Sequence, residues 1–303
     1  MGATKHAEKI KAFAKKVPFI YKAAAQAYID HKFPRHLFLE TTATCNLTCS
    51  YCPRPKIRQD MDFQMFKAIV DEATTFGPRS FSLHLFGEPL LWPHILDGIR
   101  YIKLRNRQHT VLLTTNGTRL EESCEALIRS GVDEIIWSWR EDMQANLQVT
   151  RCAAKFPELK KILRVRILKE VTPKEEIERW STWPKIEIRN LHSYGSTIDT
   201  SKWGGDGIAT KSSTQEFRHA CYHLFYAPAV AWNGDLVICC DDARRLTKLG
   251  RFGTMSVAEA WQSKKFQAIR DAHMKGVYPG ICKNCDVWKQ YPDVFYKWQY
   301  QRS

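Results

Sequence analysis

Long apolar runs are missing from this chain: nowhere in its 303 residues do 18 apolar residues follow one another unbroken, the length a membrane-spanning helix requires. The N-terminus also lacks a compact apolar segment ending in a small-residue cleavage site, so no secretory signal is expected. No internal repeat is found along the chain. Acidic residues are scarce, 32 against 46 Lys and Arg. The resulting formal charge of +14 favours an acidic partner: nucleic acid, a phosphorylated substrate, an acidic peptide or an acidic electron donor. The expectation is a soluble, cytoplasmic protein with no membrane contact.

Apolar residues make up 44% of the chain, enough to exclude general disorder, and the length suits one large domain plus a small one. Ten cysteines in a short chain would suggest a secreted disulfide scaffold. Here eight of them fall into two tight groups about 170 residues apart, and in a reducing compartment such grouping points to metal.

Residues 1–35 read as a basic N-terminal helical extension. Through position 36 there are eight Lys or Arg against two acids, with Ile10, Phe13, Ala14 and Val17 at helical spacing before Pro18. Such a helix either caps the next domain or meets a membrane surface or nucleic acid. From residue 36 strands and helices alternate. Strands are expected at 36–43, 81–86, 110–115, 134–139, 162–168 and 185–191. Helices are expected from Asp62, with Phe66, Ile69, Val70 and Ala73 on one face, and near 92–105, 119–130, 141–155 and 173–180. Gly131 should end the third helix, and Thr172, Pro173 and Glu175 should open the last as a capping box. Six β/α units within 36–192 imply a parallel sheet, open or curled into an incomplete barrel, with its site at the C-terminal strand ends. Residues 193–219, rich in Ser, Thr, Gly and Lys, read as a linker or lid. A small cysteine-rich domain follows at 220–290, with a hairpin turning at Asn233-Gly234 and a helix capped by Ser256 and Glu259. Residues 291–303 form an aromatic, basic tail.

Cys45, Cys49 and Cys52 lie within eight residues, just past the first expected strand. Three thiolates on one loop can hold three irons of a cubane and leave the fourth iron open for chemistry. A zinc site, which takes four N or S ligands, is the alternative. The spacing, with Tyr51 before the last cysteine, resembles the signature of the radical S-adenosylmethionine (SAM) superfamily. Phe86-Gly87-Glu88-Pro89, at the second strand end, resembles that family's Gly-Gly-Glu-Pro element, with Phe86 replacing the first glycine. Thr114-Thr115-Asn116-Gly117, at the third, resembles its ribose-contacting turn.

This resemblance covers about residues 36–192. It implies an α/β fold, an incomplete (β/α)6 TIM-like barrel, with a 4Fe-4S cluster on Cys45, Cys49 and Cys52 and SAM on the open iron. It further implies contacts from Gly87, Glu88 and Pro89 to the methionyl amino group and from Thr115 and Asn116 to the ribose. Ser138 or Arg140 would reach the ribose or carboxylate, and Tyr51 the adenine. A carboxylate such as Glu88 suits an ammonium, and Gly87 allows close backbone approach.

Cys221, Cys239, Cys240, Cys282 and Cys285 form the second group, and four of these five can complete a cluster with no open iron or a closed zinc site. Residues 232–241, with four residues between Gly234 and Cys239, resemble the glycine-to-cysteine element of the SPASM and twitch domains that follow many radical SAM barrels. With one further C-x-x-C pair, the chain resembles the shorter twitch form, which implies one auxiliary 4Fe-4S cluster on Cys221, Cys239, Cys282 and Cys285, with Cys240 spare or alternative. Cys124 and Cys152 fall on apolar helix faces and read as small buried hydrophobes.

The family's chemistry is reductive cleavage of SAM to a 5′-deoxyadenosyl radical, which takes hydrogen from the substrate. The resemblance implies oxidation, cross-linking or epimerisation of a peptide or small carbohydrate-like substrate. The basic surface fits a flavodoxin- or ferredoxin-like reductant. Few residues precede the barrel to form a leader-binding domain, so a small molecule and a peptide delivered by a separate protein both stay open. His84, Asn190, His192 and Tyr194 form the search list for substrate contacts. Two competing readings are a nucleic-acid-modifying radical SAM enzyme, prompted by the charge and the 291–303 aromatics, and a non-catalytic zinc-binding protein that binds nucleic acid.

Overall fold

The structure, a computed structural model, describes residues 30–195, 197–203, 218 and 220–290. The expected N-terminal helix, most of the 193–219 segment and the 291–303 tail lie outside these residues.

Six strands follow one another along the described chain, separated by helices. They are β1 (His36–Leu39), β2 (Ser80–Ser82), β3 (Thr110–Thr115), β4 (Glu134–Ser138), β5 (Leu163–Leu168) and β6 (Ile186–Arg189). Each pairs in parallel with the next, and a helix fills each crossover: α1 (Phe63–Thr74), α2 (Ile95–Arg105), α3 (Leu120–Ser130), α4 (Met143–Lys155) with the short α5 (Leu159–Ile162), and α6 (Lys174–Trp180). The result is the expected incomplete barrel. Leu37, Leu39, Phe81, Val111, Leu113, Ile135, Val165 and Ile167 are buried in its core against Phe66, Ile69 and Val70 of α1. Asp62 caps α1 by accepting from the Met65 N–H at 2.8 Å, and Gly131 ends α3 at φ 88°, the left-handed conformation that favours glycine.

Three local expectations are corrected. β1 covers 36–39 of the expected 36–43, because the chain turns at Thr41 into the cysteine loop. β2 ends at Ser82 rather than at 86, because the ring of His84 takes the amide of Thr114 (3.2 Å) that a backbone carbonyl would otherwise receive. The Thr172 capping box is absent. Pro173 itself occupies the cap position with extended ψ of 147°, and the Thr172 side chain is buried.

After the barrel come α7 (His223–Tyr226), β7 (Ala229–Val230), β8 (Asp235–Val237), β9 (Lys248–Arg251), α8 (Val257–Gln262) and α9 (Lys264–Met274). The hairpin turns at Gly234 (φ 84°), and the Ser256–Glu259 capping box opens α8, both as expected. The sheet, however, does not stop at β1. β7 pairs with β1 in parallel, through Phe38 opposite Ala229 and Leu39 opposite Val230, giving the order β6-β5-β4-β3-β2-β1-β7-β8-β9. A second core, of Tyr222, Leu224, Phe225, Ile238, Trp261 and Phe266, sits beside this extension. No helix among the described residues is long and apolar enough to cross a membrane.

Candidate functional site

The chain leaves β1 into a loop that carries Cys45, Cys49 and Cys52 and returns alongside its own stem, where Ala43 N–H donates to Gln59 O (2.8 Å) and Met61 N–H to Thr41 O (2.9 Å). Inside the loop the Cys52 N–H donates to Cys49 O (3.1 Å), and the Arg54 guanidinium donates to Leu47 O (2.9 Å) and Cys45 O (3.3 Å). Burial pushes the Cys45 thiol up, opposed by the Leu47 N–H and by Arg54; burial also raises Cys52, opposed by the Arg54 amide and the Arg140 charge. The charge of Cys49 adds to the rise of both, and that of Cys45 adds to the rise of Cys52.

The ends of β2 and β3 lock onto this loop. Gly87 packs backbone to backbone against Thr42, and the Glu88 N–H donates to Thr44 O at 2.8 Å. The Glu88 carboxylate, 2% exposed, accepts from Leu90 N–H (3.1 Å) and Thr115 Oγ1 (2.7 Å) on one oxygen and from Asn116 N–H (2.7 Å) on the other. Burial nevertheless raises its pKa. Pro89 opens a buried 3-10 turn directly after it. Asn116 donates to Asn46 Oδ1 (3.0 Å) and approaches Cys45 Sγ (3.8 Å), and Asn46 donates to Thr118 Oγ1 (2.8 Å). At the end of β4, Arg140 donates to Ser138 Oγ and to Trp139 O, each at 2.6 Å, and its guanidinium lies 5.5 Å from the Tyr51 ring. Tyr51 is buried with Leu168 and Leu191, and Trp203 meets it edge-on at 6.3 Å, so the described part of the 193–219 segment reaches the cysteine loop. Every residue expected around SAM therefore belongs to one hydrogen-bonded and packed group around the three cysteines. Arg54 and Asn46 belong to it too, and the sequence reading passed over both, although Asn46 lies between the first two cysteines and Arg54 two residues past the third.

In the C-terminal region Cys221, Cys239, Cys282 and Cys285 line one cavity, closed by Leu224, Ile281 and Val287. Cys240 is not among its lining residues; its thiol lies 3.8 Å from His223 Nδ1 and 3.6 Å from Asp241 Oδ2. Burial pushes the Cys221 and Cys285 thiols well up and Cys282 to about 11, while hydrogen bonding with Cys240, then burial, raises Cys239. Arg218 binds the carbonyls of Cys282 and Lys283 and spans the Tyr278 ring at 3.8 Å.

The residues of the search list divide. His84 is bound by both ring nitrogens to Thr114, and burial, with the Arg166 and His36 charges, holds its pKa well below the usual histidine value, so it serves as a neutral barrel side chain. Asn190 is exposed at the end of β6. His192 Nε2 lies 2.9 Å from Asp241 Oδ1, which joins the barrel mouth to the turn after Cys239. Tyr194 adopts φ 46° and stands 4.1 Å from the His192 ring and 6.1 Å from Phe86. Burial raises the Tyr194 hydroxyl pKa, with Arg140 opposing and both Cys52 and Asp241 adding to it. Tyr194 thus stands between the two cysteine groups. Cys124 and Cys152 are buried on α3 and α4, as expected.

Residues 39–137 match the model of the radical SAM superfamily, and residues 221–286 match that of SPASM, an iron-sulfur cluster-binding domain. The chain therefore carries a radical SAM domain followed by a SPASM-type iron-sulfur domain. Among curated relatives, the tungsten-containing aldehyde ferredoxin oxidoreductase cofactor-modifying protein of Pyrococcus furiosus is 34% identical over 110 residues, 34% of this chain and 30% of that protein. The GTP 3′,8-cyclase of Chlorobaculum tepidum is 30% identical over 38% of this chain and 36% of that one, so the chain spans about a third of the length of these relatives. The S-adenosyl-L-methionine-dependent 2-deoxy-scyllo-inosamine dehydrogenase of Niallia circulans is 22% identical over 82% of this chain and 91% of its own. Two solved structures share the fold. BtrN in complex with AdoMet and 2-DOIA superposes with a TM-score of 0.67 at 18% identity, covering 84% of this chain and 94% of that one. Streptococcus suis SuiB bound to the precursor peptide SuiA superposes with a TM-score of 0.62 at 17% identity, covering 86% and 71%.

The superfamily's cofactors are SAM and a 4Fe-4S cluster, with auxiliary clusters typical of the SPASM domain, and the donor set fits them. Among the described residues, the ligand atoms of His223, Cys240 and Asp241 lie within 4.8 Å of one another beside the second cysteine group. Soft thiolates without accompanying histidine at the first loop suit iron–sulfur ligation.

Proposed function

We propose that Cys45, Cys49 and Cys52 hold the cluster that cleaves SAM, that Cys221, Cys239, Cys282 and Cys285 hold an auxiliary 4Fe-4S cluster, and that the substrate is a peptide or small carbohydrate-like molecule undergoing oxidation, cross-linking or epimerisation. When bound, these cofactors supply an electron and a 5′-deoxyadenosyl radical that removes hydrogen from the substrate. The observation that carries the reading is the convergence of Glu88, Asn116 and Arg140 on a three-cysteine loop at the mouth of a parallel barrel.

In this reading the chain's residues bind and orient. One oxygen of Glu88 accepts a single hydrogen bond and keeps a lone pair for the methionyl ammonium, while its other bonds hold the carboxylate still. Asn116 orients the β3 turn against Asn46, where a ribose would lie, and Arg140 offers a fixed cation for the carboxylate. Tyr51, Trp203 and Tyr194 exclude water from the space between the two cysteine groups. A flavodoxin- or ferredoxin-like protein supplies the electron. The substrate classes are supported by the inosamine dehydrogenase, similar along most of both chains, and by the peptide-bound structure that shares the fold.

The test is anaerobic reconstitution with iron and sulfide. The expected outcome is broad absorbance near 400 nm and reductive cleavage of SAM to 5′-deoxyadenosine. Cys49→Ala should abolish cleavage and leave the second cluster in place. Colourless protein holding stoichiometric zinc, or undiminished cleavage by the variant, would overturn the reading.

A further inference from the structure

We propose that Arg218 sets the reduction potential of the auxiliary cluster, its guanidinium serving as a fixed cation and N–H donor beside the four thiols; this rests on the reading of Cys221, Cys239, Cys282 and Cys285 as cluster ligands. Arg218 lines the same cavity as those cysteines. Its two terminal nitrogens are bound to backbone: Nη2 donates to Cys282 O at 2.5 Å and Nη1 to Lys283 O at 2.9 Å. The charge is thus tied to the turn that carries the C-x-x-C pair. The remaining donor, Nε, is buried and has no hydrogen-bond partner among the described residues. A buried donor of a charged group is costly to leave unmet, and sulfur is the acceptor that this cavity gathers in fours.

Two rings keep the guanidinium in place. Tyr278 lies 3.8 Å from it and donates its hydroxyl to Arg218 O at 2.6 Å, and Trp288 lies 5.5 Å away. His273 also lines the cavity, but burial and the Arg218 charge hold its pKa at about 4, so it is neutral near pH 7. Among the described lining residues Arg218 is therefore the one cation. Asp241 carries the opposite charge: it is paired with His192 at 2.9 Å, and its Oδ2 lies 3.7 Å from Cys239 Sγ. The cavity sets a cation beside Cys282 and a carboxylate beside Cys239. Reduction of a cluster adds one electron and no proton, and no bond forms or breaks. A nearby cation and N–H donor favour the more negative, reduced form, which raises the potential. Leu224, Ile281 and Val287 wall the site with apolar surface, where such a charge acts with little screening. Arg218 in this way biases the second cluster toward taking up an electron.

The test uses the full-length chain with Cys45, Cys49 and Cys52 all changed to Ala, so that the second cluster alone is reduced. After anaerobic reconstitution its midpoint is measured by dithionite titration with mediators, followed by electron paramagnetic resonance. Arg218→Gln should lower the electron affinity at least about tenfold, which is about 59 mV for a one-electron couple, with iron content unchanged. Arg218→Lys, which keeps the charge, should fall between. Lys283→Gln removes an exposed cation from the same turn and should change the affinity by less than about twofold. A second measurement needs no change at position 218: with arginine labelled by nitrogen-15, pulsed resonance of the reduced cluster should show a nitrogen coupling that follows the isotope. Electron affinities of the parent and Arg218→Gln within about twofold of each other overturn the proposal, as does the absence of an arginine coupling. Should Arg218→Gln hold no iron, the coupling in the parent decides alone. A parent that forms no 4Fe-4S cluster once Cys45, Cys49 and Cys52 are replaced would instead refute the ligand reading.

Discussion

A methyl group on Gly87 would stand 2.0 Å from the carbonyl oxygen of Thr42. The end of β2 and the stem of the cysteine loop thus meet at a distance only a hydrogen side chain permits. Gly87→Ala should push the loop off its seat. The expected outcome is loss of about half the iron, all from the first cluster, with the second retained; iron analysis and electron paramagnetic resonance check it.

Glu88 carries a different burden, since three donors depend on its carboxylate in a buried place. Glu88→Ala leaves the Leu90 and Asn116 N–H groups without partners, at about 1–3 kcal/mol each. Its thermal midpoint should fall by several degrees, and SAM binding, measured by equilibrium dialysis, should weaken at least tenfold. Thr115→Val removes only one of the three bonds and should weaken it less.

The two adjacent cysteines of the second group should differ. Cys239→Ser removes a cavity-lining thiol and should abolish the second cluster, whereas Cys240→Ser should keep it, with iron content and absorbance near 400 nm unchanged. Equal loss in both variants would sink the assignment.

On β6, Glu187 lies 2.9 Å from the Arg166 guanidinium and 2.6 Å from that of Arg189. Burial opposes its charge, but the two arginines prevail and hold its pKa at about 2. A depressed carboxylate pKa contributes stability that is complete above the ordinary value of 4.5 and is lost as pH falls toward 2. The depression corresponds to at most about 3 kcal/mol. Urea unfolding should therefore show Glu187→Gln less stable than the parent at pH 7, with the difference shrinking as pH drops from 5 to 3.

What was legible in the sequence was local. Metal-ligand spacing, β-branched and apolar stretches such as 110–115 and punctuation by Gly131, Asp62 and Asn233-Gly234 all act within a few residues, so pattern alone reveals them. The missed features join distant positions. β2 stops early because of a ring bound 30 residues away, Asp241 meets His192 across 49 residues, and Arg245 reaches Glu40 across 205. The Thr172 capping box failed for another reason: proline at 173 took the cap position for itself, and a one-residue shift is enough to redirect a side chain from a helix end into the interior.

The parallel pairing of β7 with β1 makes the C-terminal region a structural completion of the barrel rather than an appended module. Phe38 and Glu40 donate their amides to Pro228 O and Val230 O, so a chain truncated before residue 220 would bare a row of unpaired amides and carbonyls on the strand that leads into the cysteine loop. Such a fragment would be prone to aggregate. Exchange of this half for another would have to carry the strand pairing with it, so the stability of the barrel's first strand depends on residues nearly 200 positions further along the chain.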